Sequence, residues 1–297
     1  MEPVYRRDFV AQKLIDQFPP RLHDRNKRVV FDVSSPQGAQ HSGSILFTRW
    51  IQIPIPQVFK RMSRFPVIEL RDDYFKYERQ QPGFIDWYLN FSHFDLFCAY
   101  GGSLFAQDEM QVAEHPALAS LRHALIECGI KPLTVENDIA TPILIAGVER
   151  RCSIATEPNA FEGRPFGLYG NNFSRATEDA IRRATRTIDP PSISNILAME
   201  APACGFGRYT RDQIEFVLST ALTGFRAAVL ESQKYGGTDV KTAIHTGYWG
   251  CGAYGGNRVL MPLLQLIAAC LAKVDGLIYH AGGDQDGFRS GLRTLED

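Results

Sequence analysis

An α/β sandwich is the fold class that the sequence predicts. Segments rich in apolar and β-branched residues at Thr141–Val148, Ser194–Met199 and Val240–Thr246 read as strands. A long 3.6-residue apolar period after Thr210 and an apolar run over Met261–Lys273 read as helices. The two kinds of segment alternate along the second half of the chain, the pattern of helices packed on a sheet.

Taken in order, Arg7–Phe18 has the spacing of an amphipathic helix, closed by Pro19 and Pro20, which cannot continue it. Arg28–Val33 and Ile45–Ile53 read as short strands, and Pro54 and Pro56 break the pattern after them. Residues 1–80 thus form an N-terminal accessory region, and residues 81–297 the main domain. Within the latter, Trp87–Tyr100 is extended and aromatic-rich, and Gln107–Cys128 is helical with an interruption at His115-Pro116. Thr210 followed by Gln213 is a capping-box pair. Behind it Ile214, Val217, Leu218, Ala221, Leu222 and Phe225 lie on one helix face. Pro262 has no amide hydrogen to donate, so it belongs in the first turn of its helix. Leu277–His280 supplies a last strand.

The chain has 297 residues and a formal net charge of −1, which disfavours a sequence-independent nucleic-acid binder but leaves room for a local basic patch. No apolar run reaches the roughly 18 residues of a membrane span, and the first ten residues carry no secretory h-region. The cysteines Cys98, Cys128, Cys152, Cys204, Cys251 and Cys270 are not spaced as zinc ligands, so they read as reduced core thiols of a cytosolic protein, with no metal and no cofactor expected. Trp50 and Trp87 read as core.

Two segments carry chemistry. The first runs from Thr246 through Gly247, Tyr248, Trp249, Gly250, Cys251, Gly252, Ala253, Tyr254 and Gly255 to Gly256, with a strand before it and a helix after it. Glycines let the backbone approach a ligand closely. Exposed amides leading into a helix form an anion site suited to a pyrophosphate, and Trp249 and Tyr254 would wall a ribose or base. Gly250, Gly252 and Gly255 formally match the dinucleotide fingerprint, but too little chain follows for the rest of a Rossmann domain. A P-loop would need Lys and Ser/Thr where Asn257 and Arg258 stand. A tight structural turn is the plain alternative. The second segment, Tyr100–Glu109, places Gly101 and Gly102 before the acids Asp108 and Glu109. A carboxyl beside a bound ribose could protonate a leaving group or hold the attacking water. Acids also favour helix N-termini for the dipole alone.

Together these segments resemble the poly(ADP-ribose) glycohydrolase family, which carries a Gly-Gly-Gly stretch followed by Gln-Glu-Glu and a downstream Gly-Asn-Trp-Gly-Cys-Gly-Ala-Phe-Gly-Gly loop. The resemblance runs from about residue 84 to 284. It implies a macrodomain, a mixed β-sheet sandwiched between helices, holding ADP-ribose in a cleft at the loop ends, with ADP-ribosylated protein as partner. By the same resemblance the glycine loop holds the diphosphate and Tyr254 packs on the ribose-phosphate. Glu109 matches the proton donor, Asp108 the preceding Glu, and Asp95 an acid before the glycines. Ile85 and Asp86 match a pair reading the adenine edge. Tyr169 falls where the family has a ligand-contacting Tyr. His245 reads as a core histidine, although it could contact a phosphate, and His280 could face either core or cleft. Ser103 replaces the third glycine, the loop before Gln107 is short, and the adenine-stacking Phe is missing near Ala281. These departures resemble a MavL-like branch acting on ADP-ribosyl-arginine. The expected activity is removal of single ADP-ribose units from protein at C1″, with arginine as favoured acceptor. Cleavage of poly(ADP-ribose), or binding without catalysis, is the alternative.

Overall fold

The structure is a computed structural model, which describes residues 1–57, 65–78, 81–203 and 208–296. Its elements begin with β1 (Tyr5–Val10), α1 (Ala11–Gln17), α2 (Arg25–Ser34), β2 (Ser44–Arg49), β3 (Val67–Arg71) and β4 (Phe84–Phe91). The first two expectations change here. Arg7–Val10 belongs to a strand rather than to the helix, which starts at Ala11. Arg28–Val33 is helical, because Asp24 caps α2 by accepting the amides of Asn26 and Lys27, and Val29, Val30 and Phe31 are buried. Core packing and the cap outweigh the weak strand preference of Val-Val-Phe.

Next come α3 (Gln107–Glu114) and α4 (Ala117–Glu127), separated at His115-Pro116 as the sequence predicts, and a small hairpin of β5 (Val135–Glu136) and β6 (Ile139–Ala140). β7 (Ile143–Ile154), α5 (Asn172–Arg175), α6 (Glu178–Ala184) and β8 (Thr185–Met199) follow, both strands longer than expected. The chain then runs through α7 (Arg211–Gly236), β9 (Lys241–Gly247), α8 (Leu260–Ala272), β10 (Gly276–His280) and α9 (Asp286–Glu296). The Thr210–Gln213 capping box is formed, and Pro262 sits in the first turn of α8.

Eight strands make one mixed sheet in the order β1-β2-β7-β8-β4-β9-β10-β3. β4 runs parallel to both β8 and β9, and β10 parallel to both β9 and β3; β1, β2, β7 and β8 pair antiparallel. One apolar cluster under the sheet takes in residues of α1 to α6, and a second on the other face takes in α7, α8 and α9. The result is the three-layer sandwich expected. The 1–80 segment, set apart in the sequence because it carries no motif, supplies three of the eight strands, β1 and β2 at one edge and β3 at the other. Trp50 and Trp87 are core residues. Of the cysteines, Cys152, Cys251 and Cys270 are buried thiols, whereas Cys98 and Cys128 are exposed rather than core; Cys204 lies outside the described residues. Among the described residues no helix is long and apolar enough to cross a membrane.

Candidate active site

The carboxyl ends of β8, β4, β9 and β10 lie side by side, with Phe91 level with Met199 and Gly247 level with His280. The chain leaves β4 toward β8 on one side, while β9 flanks β4 on the other. Such a switch point opens a crevice beyond the strand ends. Four connections meet there: residues 92–106, the start of 200–203, the glycine loop, and Ala281–Gln285.

The glycine loop is held from below. Gln265 of buried α8 donates to the carbonyl of Gly247 (3.1 Å), and its Oε1 accepts the Thr246 hydroxyl (2.5 Å). Trp249 turns inward: it is fully buried, and its indole N–H donates to the Met199 carbonyl (3.1 Å). It anchors the loop and is not the ligand wall that the sequence suggests. Cys251 is buried beside it. Gly250 has φ +74°, and a Cβ there would come within 2.6 Å of Ala201 Cβ. Gly252, by contrast, has open space around it. The amide of Gly255 donates to Gly252 and that of Gly256 to Gly250, both at 3.0 Å. Among the described residues the amides of Gly252, Ala253 and Tyr254 donate to no protein acceptor. Three successive amides of the loop before α8 are thus free to donate, as the donors of an anion site must be.

On the other side of the crevice, the Gln107 side chain ties α3 to β4. Its oxygen accepts the Phe91 amide (2.8 Å) and its nitrogen donates to Leu89 (3.0 Å). Asp108 and Glu109 are both buried. Asp108 accepts from the Asn90 amide nitrogen (3.1 Å), and Glu109 reaches back to accept the Ala106 amide (2.9 Å). Burial, and then the neighbouring Glu109 carboxylate, push the Asp108 carboxyl up to about 7. Half-buried Tyr254 crosses from the glycine loop to donate to Glu200, just past β8 (3.3 Å). Burial and Glu200 raise that phenol, with Asp108 and Cys98 also in electrostatic reach. Tyr169 is exposed, and Glu109 is the first of the charges that raise it beyond the effect of burial.

Several expected residues stand elsewhere. Asp95 is engaged in a two-pronged pair with Arg122 (2.5 and 2.9 Å), so it fixes the 92–106 loop to α4. Ile85 and Asp86 lie in the first half of β4, and Asp86 is five residues, or about 17 Å, short of the strand end. Its carboxylate faces His245 (3.7 Å), and His245 in turn contacts His280 (3.1 Å), which meets Asp73 (2.8 Å). Both histidines are buried. Gly101 supports the N-terminal segment, its carbonyl accepting the amides of His23 (2.9 Å) and Asp24 (3.1 Å).

Three participants escape a sequence reading. Asn90 is fully buried and its side-chain oxygen has no partner among the described residues. The signal for it is a lone amide in an apolar strand. Glu200 follows β8 without a motif. Tyr74 is exposed and lies against Gly282, where a Cβ would meet its ring at 2.7 Å. An aromatic ring therefore stands beside Ala281 after all, brought from a distant segment. Beyond the Cys98–Leu104 stretch lies a cavity of ≈470 Å3 walled also by Arg21, His23, Arg122 and His123. Among the described residues no three His, Cys, Asp or Glu side chains gather as a metal site.

A mixed sheet with helices on both faces, a glycine loop with free amides at its switch point and a buried acid pair on the neighbouring connection define an α/β hydrolytic scaffold of the macrodomain type. The chain belongs to the poly(ADP-ribose) glycohydrolase family: residues 138–288 match the model of its catalytic region, described as a macrodomain fold. Similar solved structures include poly(ADP-ribose) glycohydrolase from Thermomonospora curvata, at 14% identity over 97% of this chain and 85% of that one, with a TM-score of 0.47. Another is the Deinococcus radiodurans enzyme in complex with ADP-ribose, at 15% identity over 98% and 94%, again with a TM-score of 0.47.

Proposed function

We propose that this chain hydrolyses the glycosidic bond at C1″ of ADP-ribosyl groups. The observation that carries the reading is the facing of three unpartnered amides, Gly252 to Tyr254, by the buried pair Asp108 and Glu109 across one crevice. The amides take the diphosphate. The free oxygen of Asn90 accepts from a hydroxyl of the distal ribose, and Tyr74 gives the adenine a face to stack on. The two carboxyls act as a unit and retain a proton near neutrality, because burial and mutual repulsion oppose a double charge. That proton goes to the leaving oxygen as the C1″ bond breaks, and the resulting carboxylate takes a proton from the water that adds to C1″, which restores the acid.

For the acceptor, the shortened 103–106 loop favours arginine, while the charge around that loop favours an anionic leaving group. The guanidinium of Arg21, unpaired among the described residues, stands beside it, and a guanidinium acceptor would meet like charge there. Poly(ADP-ribose) is therefore the reading we favour. Release of ADP-ribose should be compared between polymer and ADP-ribosyl-arginine protein at equal ADP-ribose concentration. The polymer is expected to be cut faster; a clear preference for the arginine conjugate would return the assignment to single-unit removal. Absence of ADP-ribose binding by calorimetry would remove the hydrolase reading altogether.

A further inference from the structure

The cavity beyond the 98–104 stretch takes part of its wall, Arg21 and His23, from the motif-less N-terminus. Of the basic run from Arg21 to Arg28, Arg21 and His23 face the cavity, while Lys27 is buried against the Tyr100 carbonyl and Arg28 bonds the Leu22 carbonyl. The chain is held there by its backbone: the amide of Arg21 donates to the Tyr100 hydroxyl (2.6 Å) and that of His23 to the Gly101 carbonyl (2.9 Å). The Tyr100 hydroxyl also meets His123 Nε2 (2.6 Å). Side chains of unequal availability line the space. Arg122 is neutralised by Asp95. Among the described residues, the side chains of Arg21, His23 and Ser103 bond to no protein group. The local field is positive: after burial, Arg21 and Arg122 are what hold the His123 imidazole below its ordinary value.

The cavity is also next to the chemistry. Cys98 lines it, and the charges that raise the Cys98 thiol, after burial, include Asp95, Asp108 and Glu109. One stretch of chain thus separates the acid pair from the cavity.

We propose that this cavity is a second anion subsite, in which Arg21 and His23 hold the diphosphate of the ADP-ribose unit on the leaving side of the scissile bond. A flexible, highly charged chain is then gripped on both sides of the bond, so the reacting carbon is fixed by two phosphate-holding sites rather than one. The inference rests on the C1″ hydrolase reading and adds to it a site for the departing portion.

The test uses the full chain carrying Glu109→Gln to slow cleavage, with two probes, ADP-ribose and an ADP-ribose dimer. The dimer is expected to bind at least tenfold more tightly than the monomer. Adding Arg21→Ala and His23→Ala should cancel that advantage and leave monomer affinity within twofold. The salt dependence of dimer binding should also flatten as a cation–phosphate contact is lost. Both side chains leave their backbone bonds intact when truncated, so folding is preserved. A dimer that binds no better than the monomer, or a dimer advantage that survives both substitutions, overturns the subsite while leaving the hydrolase reading standing. Failure of the monomer itself to bind overturns both.

Discussion

Asp108 is where sequence and environment pull hardest against each other. A carboxyl in the first turn of a helix is ordinarily stabilised in its charged form. Here burial and Glu109 win, and the group holds its proton up to about 7. The native state therefore binds that proton more tightly than the unfolded chain does. The associated stability is fully present below the ordinary carboxyl range and is lost as pH rises through about 7. Asp108→Asn should thus raise Tm relative to the parent, by a margin that widens from pH 4 to pH 8 in thermal melts. In kinetics, Asp108→Asn and Glu109→Gln should each lower turnover at least tenfold while ADP-ribose affinity stays within a few-fold, the mark of a contribution made in the transition state. Loss of affinity instead would make them ligand holders. Tyr74 is the counterpart on the binding side. If its ring is the base platform, Tyr74→Ala should weaken ADP-ribose by roughly 1–3 kcal/mol, the usual worth of one base stacked on an aromatic ring. ADP alone should weaken equally and ribose 5-phosphate not at all, as titration calorimetry would report.

Among the elements, the glycine loop offers an internal control. Gly252 has open space and an ordinary φ, so Gly252→Val should fold with an unchanged Tm yet lose ADP-ribose binding, because the new side chain takes up space beside the free amides. Gly250→Val meets Ala201 and a left-handed φ, so it should lower Tm by many degrees. Equal effects of the two on Tm would show that the loop is only a structural turn. The same loop shows what a sequence can reveal. Its glycines, the helix after it and the strand before it are legible because each has a local cause: periodicity, a cap, a missing Cβ. The direction of Trp249 is not, since an aromatic flanked by glycines looks like a ligand wall until the core beneath it is known. Asp86 is hard to place for a related reason. A resemblance aligns it with a ligand contact, but its depth within β4 depends on where the strand ends. α2 escapes notice because Val-Val-Phe has no helical preference of its own and is held by Asp24 and by burial. Tyr74 and Glu200 join the site through tertiary placement alone, which no local pattern encodes.

At the scale of the molecule, residues 1–80 are part of the sheet and of the basic cavity as well. Removing them would strip β1 and β2 from β7 and β3 from β10, leaving two unpaired edges, and would uncover the buried face that α1 and α2 cover. A chain of residues 81–297 is therefore expected to be insoluble or unfolded by circular dichroism. A soluble, cooperatively melting product that binds ADP-ribose would restore the boundary near residue 80.

The amides of Gly252, Ala253 and Tyr254 have a last consequence. Hydrogens with no acceptor in the protein are unprotected against solvent deuterium, so in the free chain these three should exchange at nearly the rate of an unstructured peptide, between the protected β9 and α8. A bound diphosphate would cap them and slow that exchange, making the loop its own reporter of occupancy, readable without any label or turnover.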